Sequence, residues 1–269
     1  MKINNILTSK GNVPSKKYVF EEEGKLIEST YIDRKNKYII CVSCMFGCPV
    51  GCEFCASGLN YFGKLTKKEM VFMISSIIKK ENLTEEKRLL ISFMGSGEPS
   101  LNMNEIKEVI QEISNKYPNT SFAISNSGVK IENLLLLNDI KDRNIKLQFS
   151  LHSPYNQERK KIIPSTDNLK KILKTYFKLK FELEINYILL NNFNDSRNHA
   201  DKLSNFIKKY GFNLKINDYH EVNRNFIEST NKKLFLEVLK KNKVNFEMYS
   251  TDGVDIGAAC GQLISKKTK

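Results

Sequence analysis

Cys48-Pro-Val-Gly-Cys52-Glu-Phe-Cys55 sets three thiols at the spacing Cys-x3-Cys-x2-Cys, just past a strand-like run at 38–42. Five of the six cysteines (Cys41, Cys44, Cys48, Cys52 and Cys55) crowd into one short stretch, and Cys260 stands alone near the C-terminus. The opening MKINNILTSKGN lacks the apolar centre of a signal peptide, and no apolar run approaches the ~18 residues of a membrane span. The expected location is therefore cytoplasmic. In that reducing compartment clustered thiols point to metal binding or catalysis rather than to a disulfide framework. A cubane is normally held by four cysteines, so a set of three leaves one iron with open positions, as catalytic metal sites do. A small molecule with a free amine and carboxylate can chelate there. Zinc is the competing reading, because Cys-x2-Cys pairs at 41/44 and 52/55 suggest four ligands. Zinc ribbons usually separate their pairs by a longer loop, however, and zinc leaves Cys48 unexplained.

Outward from this loop the chain alternates. Strand-like runs fall at 38–42, 89–94, 121–125, 146–152, 182–190, 214–218 and 244–249. Helical patterns lie between them at 66–80, 103–116, 131–140, 167–180, 196–210 and 231–242. Strand then helix, repeated, predicts parallel strands joined by right-handed crossovers. A full eight-fold barrel needs about 250 residues for itself, so an α/β partial (β/α)6 TIM-like barrel is expected. Chemistry then belongs at the carboxyl ends of the strands, and the notable residues fall there. Residues 1–37 read as an N-terminal extension, a short hairpin or leader with strand-like stretches at 17–20 and 26–32. Residues 38–269 read as one barrel domain with a C-terminal cysteine segment. Hydrophobic residues make up 41% of the chain, which excludes a disordered protein. The net charge of +13 draws polyanions, nucleic acid first, although many of the lysines also read as solvated helix faces.

The stretch from Cys41 to Cys55, with Asp255-Ile-Gly-Ala-Ala-Cys-Gly-Gln-Leu263, resembles the RlmN/Cfr family of radical S-adenosylmethionine (SAM) RNA methyltransferases. The resemblance runs from about Glu28 to Leu263, with the motifs in the family's order. It implies a barrel of the radical SAM type, with a [4Fe–4S] cluster on Cys48, Cys52 and Cys55 that cleaves SAM. Gly95-Ser-Gly-Glu-Pro99 resembles the family's GxGEP element and implicates Gly97 and Glu98 in holding the SAM amino group. By the same resemblance Ser125, Ser150, Leu151 and His152 contact SAM, and Asn194 lies near its adenosyl moiety. Cys260 takes the place of the cysteine that carries a methyl group from one SAM. A second SAM yields the adenosyl radical that activates this methyl for C2 or C8 of adenine, in rRNA or tRNA. Glu28 is implied as the base that removes the ring proton. Cys41 is implied to attack the Cys260 sulfur, closing a transient disulfide bond that frees the product. Such thiol chemistry depends on thiolate nucleophilicity and exchange. Cys44, where relatives usually carry another residue, is either inert or a competing thiol.

The resemblance further implies an RNA substrate, an electron donor such as flavodoxin or ferredoxin, a monomer, and no membrane partner. Three departures stand out. The helical N-terminal accessory domain of the family has no counterpart in these residues. Asn217-Asp-Tyr-His-Glu-Val222 replaces a Pro-x-Asn-Pro segment. Tyr249 and Asp252 occupy the places of two arginines. Two alternatives follow: the same methyl transfer to a peptide or small molecule, or a non-catalytic cluster-bearing regulator that binds nucleic acid.

Overall fold

The alternation becomes one parallel ribbon in the computed structural model, which describes residues 1–140, 144–222, 226–249 and 252–267. Its strands are β1 (Lys2–Thr8), β2 (Ser15–Glu22), β3 (Lys25–Arg34), β4 (Lys37–Cys41), β5 (Met45–Gly47), β6 (Tyr61–Lys64), β7 (Arg88–Phe93), β8 (Thr120–Asn126), β9 (Ile145–Ser150), β10 (Glu182–Leu189), β11 (Asn213–Asp218), β12 (Glu247–Met248) and β13 (Ser265–Lys267). Its helices are α1 (Lys67–Lys80), α2 (Met103–Lys116), α3 (Asn156–Ile162), α4 (Leu169–Tyr176), α5 (Arg197–Tyr210) and α6 (Lys232–Lys241). Strands β4-β7-β8-β9-β10-β11-β12 pair in that order, all parallel, as crossover connections require. Among the described residues, no helix is long and apolar enough to cross a membrane.

Local sequence explains the helices. α1 buries Met70, Met73, Ile74, Ile77 and Ile78, the i, i+3, i+4 spacing of one helical face. Each such side chain contributes about 1.5–3 kcal/mol on burial. Thr66 and Glu69 close a capping box at its start. Residues 131–140 differ from expectation: they wind as a 3₁₀ helix, Ile131–Asp139. The cause is periodicity, since the buried residues Ile131, Leu134 and Leu137 repeat every third position and match three residues per turn. The strand expected at 244–249 shortens to β12, and the seven-residue α3 was not anticipated.

β1, β2 and β3 form an antiparallel set that continues the sheet beside β4. At the other end, β13 returns to pair antiparallel with the first residues of β3. The chain between β12 and β13 therefore runs as a strap from the last parallel strand back to the antiparallel side, and it carries Cys260.

Candidate active site

Every parallel strand from β7 to β11 delivers side chains to one cavity of about 140 Å³ at its carboxyl end. Cys48, Cys52 and Cys55 form one wall, and the others come from Gly97 and Glu98 after β7, Ser125 on β8, Ser150 and His152 at the end of β9, Asn186 on β10 and Asn217 on β11. Cys260 of the strap completes the enclosure.

The cysteine loop is fixed by backbone bonds. Cys48 N donates to Ser57 O at 2.8 Å and Cys55 N to Cys52 O at 3.2 Å. Gly47, at φ 80°, begins the loop, where a Cβ would lie 1.7 Å from Asn60 O. Only glycine fits there. Burial pushes the Cys48 thiol up to about 12 and raises Cys52 as well, and the neighbouring thiols add to both shifts. Bound metal charge reverses that preference and holds thiolates. Among the described residues, no three His, Cys, Asp or Glu side chains converge closely enough to hold a single ion. The thiolates of a cubane sit on separate irons, so they stand wider apart than the ligands of one tetrahedral zinc. Cys48, Cys52 and Cys55, lining one cavity, supply the soft thiolate donors that a cluster takes.

Glu98 is 4% exposed, and its carboxylate accepts from Ser127 Oγ at 2.6 Å, Ser127 N at 3.0 Å and Ser100 Oγ at 2.9 Å. Burial raises its pKa against these donors. Gly97 leaves room for Cys44, whose Sγ would lie 2.8 Å from a Cβ placed there. Cys44 is thus a buried packing group, in line with the inert alternative.

His152 is buried at φ 51°, accepts from Ile188 N through Nδ1 at 3.1 Å, and meets the Phe54 ring edge-on. Burial and then the charge of Arg159 push it down to about 3, so the imidazole is neutral. Leu151 and Asn194 lie behind the wall rather than in it. The Asn194 amide donates to His152 O and Ile188 O, both at 2.7 Å, and accepts from Leu190 N at 2.8 Å. Its side chain is spent on shaping the His152 turn. Arg159, which sequence reasoning missed, is wholly buried. It donates to Ser150 O, Leu151 O, Ser127 O and Thr166 Oγ1, binding the ends of β8 and β9 together. No signal marked it within the charged run Gln157-Glu-Arg-Lys-Lys161.

A second, smaller space lies beside the first, lined by Cys41, Thr30, Tyr249, Asp252 and Cys260. Cys260 and Met94 border both spaces. Burial lifts the Cys41 thiol to about 12, with the Cys260 field adding to it. Burial lifts Cys260 to about 11 against a hydrogen bond from Tyr249. The disulfide expected between these two is not formed: all six cysteines are free thiols. Glu28 borders neither space. It is 7% exposed on β3, pairs with Lys17 at 3.2 Å and accepts from Ile264 N at 2.9 Å.

These features define a class. Residues 42–203 match the Radical SAM superfamily. A radical SAM methyltransferase structure from Sphaerobacter thermophilus superposes with TM-score 0.89 at 23% identity, covering 97% of this chain and 80% of that one, and shares the fold. A probable dual-specificity RNA methyltransferase RlmN of Dictyoglomus thermophilum is 31% identical over 96% of this chain and 77% of its own. The dual-specificity RNA methyltransferase RlmN of Vesicomyosocius okutanii is 30% identical over 92% and 74%. Within the radical SAM superfamily, the chain belongs to the RlmN family of methyltransferases. Its cofactors are a [4Fe–4S] cluster and SAM.

Proposed function

We propose that this enzyme methylates a ring carbon of adenine, C2 or C8, in an rRNA or tRNA, with Cys260 as the carrier of the methyl group. One observation carries the reading: Cys260 forms part of the wall between the cofactor cavity and the space that holds Cys41. When bound, the cluster and SAM supply the methyl group and a 5′-deoxyadenosyl radical. Cys48, Cys52 and Cys55 hold the cluster. Gly97 and Glu98 meet the SAM ammonium, for which a buried carboxylate among hydroxyl donors is a suitable partner. Ser125, Ser150 and His152 line the SAM site, and Leu151 and Asn194 support it from behind.

On the other side, Cys41 and Cys260 line one space. The Cys41 thiolate would attack the Cys260 sulfur, forming the S–S bond as the bond from that sulfur to the product carbon breaks. The electron pair goes to that carbon, which takes up a proton, and a cellular thiol reductant then restores both thiols. Electron supply to the cluster comes from a small donor such as flavodoxin or ferredoxin. Glu28 anchors the strap through Ile264. It removes the ring proton only after that bond opens.

The experiment is an anaerobic reaction of the reconstituted enzyme with cellular RNA, a strong reductant and SAM labelled in its methyl group. Nucleoside mass spectrometry is expected to find the label in methyladenosine. Abundant 5′-deoxyadenosine with no labelled nucleoside would contradict RNA as the substrate.

A further inference from the structure

Three cations stand side by side where antiparallel β3 meets the parallel strands. Arg34 on β3 pairs in register with Lys37 on β4, and Lys37 in turn with Arg88 on β7. Like charges directly opposite one another on neighbouring strands are destabilising, so such a row calls for an opposing charge. Arg34 has one in Asp252 of the strap. Lys37 and Arg88 are exposed, and among the described residues no carboxylate pairs with either. Burial, and then the fields of Lys215, Arg34, Lys146 and Arg88, pull the Lys37 ammonium below its ordinary pKa. The cations of β9 and β11 are already matched: Lys146 pairs with Glu182 and Glu184, and Lys215 pairs with Glu184 and has Glu247 in register.

Alternation fixes the face on which the row lies. Steps of two lead from Cys41 through Ile39 to Lys37 on β4, from Thr30 through Ile32 to Arg34 on β3, and from Ser92 to Arg88 on β7. Thr30, Ile32, Ile39, Cys41 and Ser92 all line the space that Cys41 shares with Cys260. The row therefore shares that face, about 13 Å from Cys41 along β4, at the amino ends of the parallel strands. Spread over three strands it is about 10 Å wide, too wide for one phosphate or carboxylate group. A chain of phosphates meets it, and arginine forks and lysine point charges suit phosphate oxygens. We propose that Arg34, Lys37 and Arg88 grip the phosphate backbone of the RNA beside its target nucleotide. The base then enters the space of Cys41 and Cys260 from the end of the barrel opposite the cofactor cavity. This assignment rests on the RNA methylation proposed above.

The test is RNA binding by the cluster-reconstituted protein without reductant. It is read as fluorescence anisotropy of a labelled single-stranded RNA across a potassium chloride series. Wild type is expected to bind more weakly as salt rises. The double variant Lys37→Gln/Arg88→Gln is expected to flatten the slope of log K against log salt by about 1 for each cation removed. Lys37→Arg keeps the slope. Lys170→Gln/Lys174→Gln, which changes two exposed lysines of α4, leaves it as in wild type. Because a like-charge contact is relieved, the urea midpoint of the Lys37/Arg88 variant stays or rises, which shows that it has folded. A wild-type slope in that variant, an equal loss in the α4 variant, or no RNA binding by wild type overturns the proposal. RNA that is methylated by wild type, with the slope unchanged in the Lys37/Arg88 variant, removes the row alone. A flattened slope on RNA that is never methylated keeps the row and removes adenine as the target.

Discussion

The two sides of the cavity are built differently. The strand-end side is cross-braced by buried side chains: Arg159 ties β8 to β9, Asn194 clips the His152 turn, and two serines hold Glu98. The strap side has almost no core of its own. Gly253, Gly257 and Gly261 all take positive φ, and among the described residues one 3₁₀ turn, Val254–Ile256, is its only regular element. It is held from outside instead. Asp252 pairs with Arg34, and Asp255 accepts from Ser9 Oγ at 2.6 Å and Lys10 N at 2.8 Å. Ser57 Oγ donates to Leu263 O at 2.7 Å, and Glu28 takes Ile264 N at 2.9 Å. Preorganisation suits the side that must hold a cofactor in one geometry. On the proposed function, a glycine-punctuated strap suits a sulfur that would meet SAM, a substrate carbon and Cys41 in turn.

The contrast is sharpest in a pair of substitutions. Cys48→Ala is expected to abolish iron binding and all 5′-deoxyadenosine formation. Cys260→Ala is expected to keep the cluster and SAM cleavage while losing methyl transfer entirely. Iron analysis and product chromatography read both, and loss of the cluster in Cys260→Ala would erase the division between the two sides.

Bracing predicts the next effect. Arg159→Leu strands the carbonyls of Ser127, Ser150 and Leu151 and should cost about 3 kcal/mol or more in urea unfolding. A change of under about 1 kcal/mol would show that the brace is idle.

His152 sets a pH signature for the same side. Its folded pKa, about 3, lies below the ordinary 6.5, so the unfolded chain takes up the proton first. The stability it contributes is full above pH 6.5 and drains away as pH falls toward 3. In a His152→Asn variant the acid limb of the stability profile should flatten. The smallest effect belongs to the strap: Asp255→Ala should speed hydrogen exchange across 253–263 and leave the urea midpoint in place, and slowed or unchanged exchange would remove Asp255 from the anchors.

Much of this was legible in the sequence, for identifiable reasons. The parallel strands are dense β-branched and aromatic runs, and the spacing of Cys48, Cys52 and Cys55 singles out three thiols that the fold brings to one cavity. β1 was not legible because KINNILT is largely exposed and has little pattern. α3 was not because NQERKKI is short and charged. Arg159, Asn186 and Asn217 acquire meaning only when distant strands align, which no local window reveals. The service of residues 1–37 to the strap is equally tertiary, since Ser9, Lys10, Lys17, Glu28 and Arg34 reach partners more than two hundred positions away, or the Lys17–Glu28 pair that faces them.

Peptide mass spectrometry of enzyme incubated anaerobically with SAM tests the central claim most directly. The peptide bearing Cys260 is expected to gain the mass of one methyl group, while those bearing Cys41 and Cys44 stay unchanged. A bare Cys260 thiol in enzyme that nonetheless methylates its substrate would contradict the account.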